Sequence, residues 1–261
     1  PFRVDLTPFA GVLSNGNAHT VGISVYNANG YFLATANLLV FTDPHAERTN
    51  GGLLSDTLTA APTPVVTENL NKDSSGNITG TVGVSSSRSF SISGWTTTSH
   101  GRVTTTVAGS VGFSNNQKFT INSKQYIQDI AQSTTMNVST TRSEGVLSTV
   151  EGKHYSYPFT FLIDEEFASD GSASELNTSK QGYEVTTEKW LGPLRLFSGS
   201  VSNEVSSTDT DLFSATGSFL GPSNASSTQT YKASDTLGHC YGRTIASAAN
   251  KLTSFDDVSC H

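Results

Sequence analysis

Apolar and polar residues alternate one by one along most of this chain, the period of a β-strand with one face on a core and the other in water. In Val21-Gly22-Ile23-Ser24-Val25 the apolar side chains fall on one side. Asn27-Ala28-Asn29-Gly30 then reads as a hairpin turn, and Phe32 to Phe41 as a longer return strand ending at Asp43-Pro44. Residues 1–43 are therefore expected to be the final strands of a first β-sandwich begun in an upstream chain. The composition turns to Thr, Ala, Pro, Asn and Asp over 44–80, with Ala60-Ala61-Pro62-Thr63-Pro64 in the middle, which predicts a linker. Alternation resumes over 81–261 in Ser89 to Ser93, Val107 to Phe113, Phe159 to Ile163, Gln229 to Ala233 and Tyr241 to Ile245. Many short strands separated by Gly, Ser and Asn predict a second β-sandwich, and the whole chain reads as all-β and jelly-roll-like. No helical stripe runs beyond about three turns.

Composition narrows the function. Only 14% of the 261 residues are charged, and the net charge is −7. No basic cluster interrupts that balance, so nucleic acid is excluded as a partner. No stretch approaches the ~20 apolar residues of a membrane-spanning helix. The opening Phe2-Arg3-Val4-Asp5-Leu6 reads as the inside of a strand, which leads to the expectation of a processed chain with an N-terminal companion. Cys240 and Cys260 flank a closing strand and are expected to form one disulfide. The rival reading is a nucleophilic Cys beside His239 or His261. A disulfide would place the protein in an oxidising compartment, secreted or vacuolar. Sequons begin at Asn77, Asn137, Asn177 and Asn224, a number that so much Ser and Thr produces by chance.

Signatures of self-contained catalysis are missing: there is no G-x-S-x-G, H-E-x-x-H, phosphate loop or Cys-x-x-Cys. The six histidines do not pair at metal-ligand spacing, and nothing calls for a cofactor or metal. The acidic run Asp164, Glu165, Glu166 and Asp170 follows an apolar strand and reads as a solvated turn, with Ca²⁺ binding or an acid–base pair as the alternative. More informative is Ile92-Ser93-Gly94-Trp95, followed by Ser99-His100-Gly101-Arg102. An indole face stacks on the apolar side of a sugar ring, while Ser99, His100 and Arg102 can donate to hydroxyls. The competing reading is an indole packed in the core beside a solvated His–Arg turn. The tip Tyr26-Asn27-Ala28-Asn29-Gly30-Tyr31 is open to the same two readings, with Tyr26, Asn29 and Tyr31 as sugar contacts and Asn27 as an amide donor, or all as turn residues. His19 reads as structural.

Asp5 to Phe9, His19 to Asp43, Ser89 to Trp95 with Ser99 to Gly101, and Cys240 to Thr244 together resemble the C-terminal half of the peptide-N-glycosidase A family. Members of that family can be processed into heavy and light chains, and this chain resembles the light one. The resemblance implies hydrolysis of the amide joining N-acetylglucosamine to an Asn side chain, with an N-glycopeptide as substrate and an N-terminal heavy chain as partner. A fainter similarity reaches bacterial peptide-N-glycosidases, two packed jelly rolls with the site at their junction. Two supporting carboxylates of those enzymes would fall at Tyr26 or Asn27 and at His100 to Arg102, and their principal Asp would precede Pro1. The expected roles follow: Asn27, His100 and Arg102 polarise the scissile carbonyl or hold the first sugar, and Trp95 lines the cleft. The low charge and missing carboxylate pair also suit a lectin-like module without hydrolysis, or a structural β-protein of a wall or capsid.

Overall fold

A computed structural model describes residues 3–23, 30, 33–46, 49–59 and 61–257. Short helical turns at Thr7–Phe9 and Ala10–Leu13 (α1) precede twelve strands. These are β1 (Asn50–Asp56), β2 (Val65–Lys72), β3 (Ile78–Thr98), β4 (Gly101–Ile121), β5 (Gln125–Glu144), β6 (Leu147–Phe167), β7 (Ala173–Leu191), β8 (Leu194–Phe213), β9 (Phe219–Pro222), β10 (Ser226–Asp235), β11 (Cys240–Ala248) and β12 (Lys251–Asp257). The alternation therefore holds: the protein is all-β.

The strands differ from expectation in length and layering. All twelve hydrogen-bond into one open sheet in the order β1-β3-β4-β5-β6-β7-β8-β10-β11-β12, with β2 also on β3 and β9 also on β8. Every pairing is antiparallel. β3 to β8 each run 19 to 21 residues. Gly109, Gly112, Gly152 and Asn115, which look like turn punctuation, sit inside strands, because a period of two is kept straight through them. Most reversals are marked by a glycine in the left-handed region or by an Asp cap. Gly145 (φ 57°) and Gly192 (φ 53°) open two-residue hairpin loops, the second completed by Pro193. Asp73, Asp170 and Asp235 each accept a backbone N–H two residues on.

The stretch 44–80, expected as a linker, contains β1 and β2, both paired with β3. Pro62 and Pro64 lie between them, where no ladder bond is needed. The expected hairpin of residues 20–41 lies partly outside the described residues. Its described parts, 20–23 and 33–41, form no strand, and Leu33 and Phe41 are 95% and 88% exposed.

The two faces of the sheet differ. Val111, Met136, Tyr155, Val185 and Val201 stand side by side across β4 to β8. Tyr157 and Tyr183 follow on the same side, ring centroids 5.4 Å apart. The opposite side carries hydroxyl pairs such as Ser93–Thr106, Ser114–Ser133 and Thr230–Thr244. Residues 3–13 roof one end of the aromatic face. Pro8, fully buried, lies on Gly94, where a Cβ would stand 1.8 Å from the Pro8 carbonyl oxygen. Beneath that roof sit Ile92 and Val107, and the buried core continues to Met136 and Tyr155. Asp5 ties the roof down by accepting from Thr140 and pairing with Arg142 at 3.9 Å.

Candidate functional site

Trp95 lies on the hydroxyl face near the end of β3, between Gly52 of β1 and Thr104 of β4. Because β3 alternates, Ile92 and Gly94 turn to the buried side and Trp95 away from them. The indole is thus a partly exposed surface group, and the reading that seals it in the core is set aside. Gly52 has no side chain to cover the indole edge, since a Cβ there would lie 3.5 Å from Trp95 Nε1. The Arg102 guanidinium carbon stands 4.3 Å from the indole centroid. A planar cation over the ring leaves its N–H groups pointing outward as donors.

The β3–β4 loop is Ser99-His100, closed by Thr98, whose hydroxyl donates to the Gly101 carbonyl and accepts from the His100 N–H. Asp43, not singled out from sequence, meets this loop. Its Oδ2 accepts the Ser99 N–H at 2.7 Å, and its Oδ1 accepts the Ser99 hydroxyl at 3.0 Å and the His45 N–H at 3.0 Å. These donors, the Ser99 N–H foremost, hold the Asp43 carboxyl below its ordinary value, with His100 adding to the effect. The signal available in sequence was the Asp-Pro that ends an apolar run, but nothing local says which loop it meets.

Trp95, Ser99, His100 and Arg102 are therefore brought together at one end of the sheet, with Asp43 beside them. Tyr26, Asn27, Asn29, Tyr31 and Cys260 lie outside the described residues. Cys240 opens β11 opposite Ser234. His19 sits on Asn15 Oδ1 at 3.0 Å, away from this cluster. The acidic run is corrected in part: Asp164, Glu165 and Glu166 belong to β6 itself, while Asp170 caps the following turn through Ser172. Among the described residues, no group of three or more His, Cys, Asp or Glu is placed to hold a metal ion, and no helix is long and apolar enough to cross a membrane.

Residues 81–159 match the family model described as the PNGase_A C-terminal domain. Over that stretch the chain is similar to the C-terminal domain of the peptide-N-glycosidase A family. The matched stretch runs from β3 into β6 and includes Trp95, Ser99, His100 and Arg102. Among curated proteins the chain is 33% identical over 104 residues to the peptide-N4-(N-acetyl-beta-glucosaminyl)asparagine amidase A of Prunus dulcis. That match covers 40% of this chain and 17% of the relative's length. No solved structure matches. In this chain the matched stretch lies in an open sheet whose roofed end also carries the indole, guanidinium and imidazole cluster.

Proposed function

We propose that this chain is a subunit of a glycoamidase that hydrolyses the N-acetylglucosamine–asparagine bond of N-linked glycopeptides, working with an N-terminal companion chain. The observation that carries the reading is Arg102 stacked on Trp95 within the stretch similar to peptide-N-glycosidase A. A sugar ring needs an aromatic platform with outward donors at its rim, and this pair supplies both.

Amide hydrolysis needs a water held by a base, a proton for the leaving amine, and stabilisation of the oxyanion. His100, exposed on its loop beside Asp43, is the group on this chain suited to polarising the scissile carbonyl. Arg102 holds the first sugar, Ser99 and Asp43 fix the loop, and Asn27 with Tyr26, Asn29 and Tyr31 completes the rim. Asp43 accepts three hydrogen bonds already, which suits it to holding the loop more than to abstracting a proton. The carboxylate that activates water then comes from the companion. A Cys240–Cys260 disulfide and a secreted or vacuolar location belong to the same reading.

The occupied Asp43 also favours a second reading, a lectin-like module that binds the glycan without cleaving it. One experiment separates the two. The chain, alone and with its companion, is incubated with an N-glycopeptide, and mass spectrometry follows glycan release and conversion of Asn to Asp. Release with the companion supports the amidase; binding without release under every condition leaves the lectin.

A further inference from the structure

The sequence holds two tryptophans, Trp95 and Trp190, and the register sets both on the hydroxyl face of the sheet. Trp190 of β7 stands opposite Val150 of β6, and that row runs on through Thr141 and Thr106 to Ser93 of β3. Ser93 and Trp95 are two residues apart on β3, so their side chains point the same way. Trp190 is partly exposed, like Trp95. Each indole also has an arginine beside it. The guanidinium carbon of Arg195 stands 5.9 Å from the Trp190 centroid, as that of Arg102 stands 4.3 Å from the Trp95 centroid.

A bulge creates the second pair. Lys189 faces Phe197 across the β7–β8 ladder, so an unbroken register would put Leu196 opposite Trp190; the shift at this step puts Arg195 there instead. Bulges re-aim side chains in this way and recur beside functional sites. Glu188 pairs with Arg195 at 3.6 Å and balances its charge, so the platform does not select an anion. Arg195 stays half-exposed, with N–H groups left to donate to a ligand.

The ground between the two indoles is uncharged. Its floor is Thr104, Thr106, Thr141, Ser143, Ser148 and Val150, mostly hydroxyls that can donate and accept. One row further along the strands, Ala108, Ser139 and Gly152 rise little above the backbone, and a Cβ on Gly152 would meet nothing within 4 Å. β3 and β7 are four ladder steps apart, about 19 Å at about 4.8 Å per step. No single sugar ring spans that distance. We infer that Trp190 and Arg195 form a second sugar platform, and that the ligand is an extended neutral oligosaccharide lying across β4 to β6 from one indole to the other. An aromatic face at each end stacks on a ring, and the hydroxyl floor meets the sugars between them. The inference rests on the reading of the Trp95 corner as a glycan site and adds a selection for glycan length: the first sugar sits at Trp95 and Arg102, and only a long chain reaches Trp190.

Calorimetry of the 261-residue chain with two ligands tests the inference. One is a peptide carrying a single N-acetylglucosamine on Asn; the other is the same peptide carrying a full mannose-rich N-glycan, which is uncharged. The longer glycan is expected to bind about two- to tenfold tighter. Trp190→Ala should bring it down to the affinity of the single sugar, whose own binding stays unchanged and reports an intact fold. Arg195→Gln, at a half-exposed position, should weaken the longer ligand alone. In Trp95→Phe, the fluorescence of Trp190 should shift on adding the longer ligand and not the shorter one. A Trp190→Ala protein that binds the longer ligand as the wild type does, or that loses both ligands equally, overturns the inference. A wild-type chain that binds the two ligands equally overturns it as well. In each of those results the wild type still binds the single sugar, so the glycan site at Trp95 stands. A wild-type chain that binds neither ligand removes that site and this inference together.

Discussion

Asp43 and Ser99, 56 residues apart in the chain, share two hydrogen bonds: one Asp43 oxygen takes the Ser99 N–H and the other takes its hydroxyl. This pair fixes where the β3–β4 loop presents His100. Asp43→Asn keeps the shape of the acceptor but removes its charge. The variant is expected to retain its melting temperature and lose glycopeptide turnover, with faster hydrogen exchange at the Ser99 amide. Unchanged exchange at Ser99 would show that the loop holds itself.

The same pair sets a pH dependence. The Asp43 carboxyl lies below its ordinary value of 3.8 in the folded protein, so the folded state holds this proton less tightly than the unfolded chain. Its contribution is therefore present above 3.8 and is lost as pH falls through the lower, folded value. Trp95 fluorescence in a Trp190→Phe background is expected to change in that acid window and to stay flat across it in Asp43→Asn.

His100→Ala removes the proposed carbonyl-polarising donor. Loss of one such donor typically lowers turnover by about two to three orders of magnitude. The expected outcome is a drop of at least about two orders in glycan release with an unchanged melting temperature. Near-normal release would take His100 out of the site.

Arg102→Lys keeps the charge but loses the planar stack on Trp95. An exposed cation–π contact is worth about 0.5–1 kcal/mol, which is about a two- to fivefold change in affinity. Glycopeptide binding by calorimetry should weaken by that factor, and Trp95→Ala should weaken it further. Equal binding by all three proteins would place the glycan elsewhere.

Gly94→Ala tests the roof. Its Cβ would meet the Pro8 carbonyl oxygen at 1.8 Å, so residues 3–13 must lift from Ile92 and Val107. Overpacking of this kind costs about 1–3 kcal/mol. A lower urea midpoint and faster proteolysis near Leu13 are expected. Ala at position 94 with wild-type stability would show that the roof contributes little.

Tyr157 gives an alkaline counterpart. Burial, with Tyr183 and Tyr155 nearby, raises its phenol from 10.0 to about 12. A raised value means the folded state keeps its proton longer, so stability is full below 10.0 and falls as pH rises toward about 12. Ultraviolet titration should show several phenols titrating late, Tyr157 the latest, and that last step should vanish in Tyr157→Phe.

What could be read from sequence followed what is local. The alternation in 89–93, 107–113 and 159–163 marked strands correctly, because a neighbour's face is set by a period of two. It misjudged where they stop: Gly109, on the buried side with Val107, stays in register because the Phe90 ring and the Asn137 carbonyl take the space of a Cβ, and Gly152 stays because it lies in open space on the hydroxyl face. β1 and β2 were hidden by low apolar content, since Asn50–Asp56 and Val65–Lys72 lie at the sheet edge and earn their place by backbone bonds to β3. At the site, Trp95 and Arg102 were visible as residue types, and their stacking follows from the register of β3 and β4. Asp43 was not, because its role depends on a contact that no nearby residue announces.

Most strands here are stitched to the one just before them in the chain, and β3 and β4 pair along their whole length as a single hairpin. A sheet assembled this way needs no strand threaded between two others, so it can zip outward from any hairpin as the polypeptide emerges. It can also gain or lose a hairpin at its β12 margin without disturbing the register of the rest. The corner that carries Trp95 and Arg102 and the breadth of the sheet are thus free to vary independently over evolutionary time.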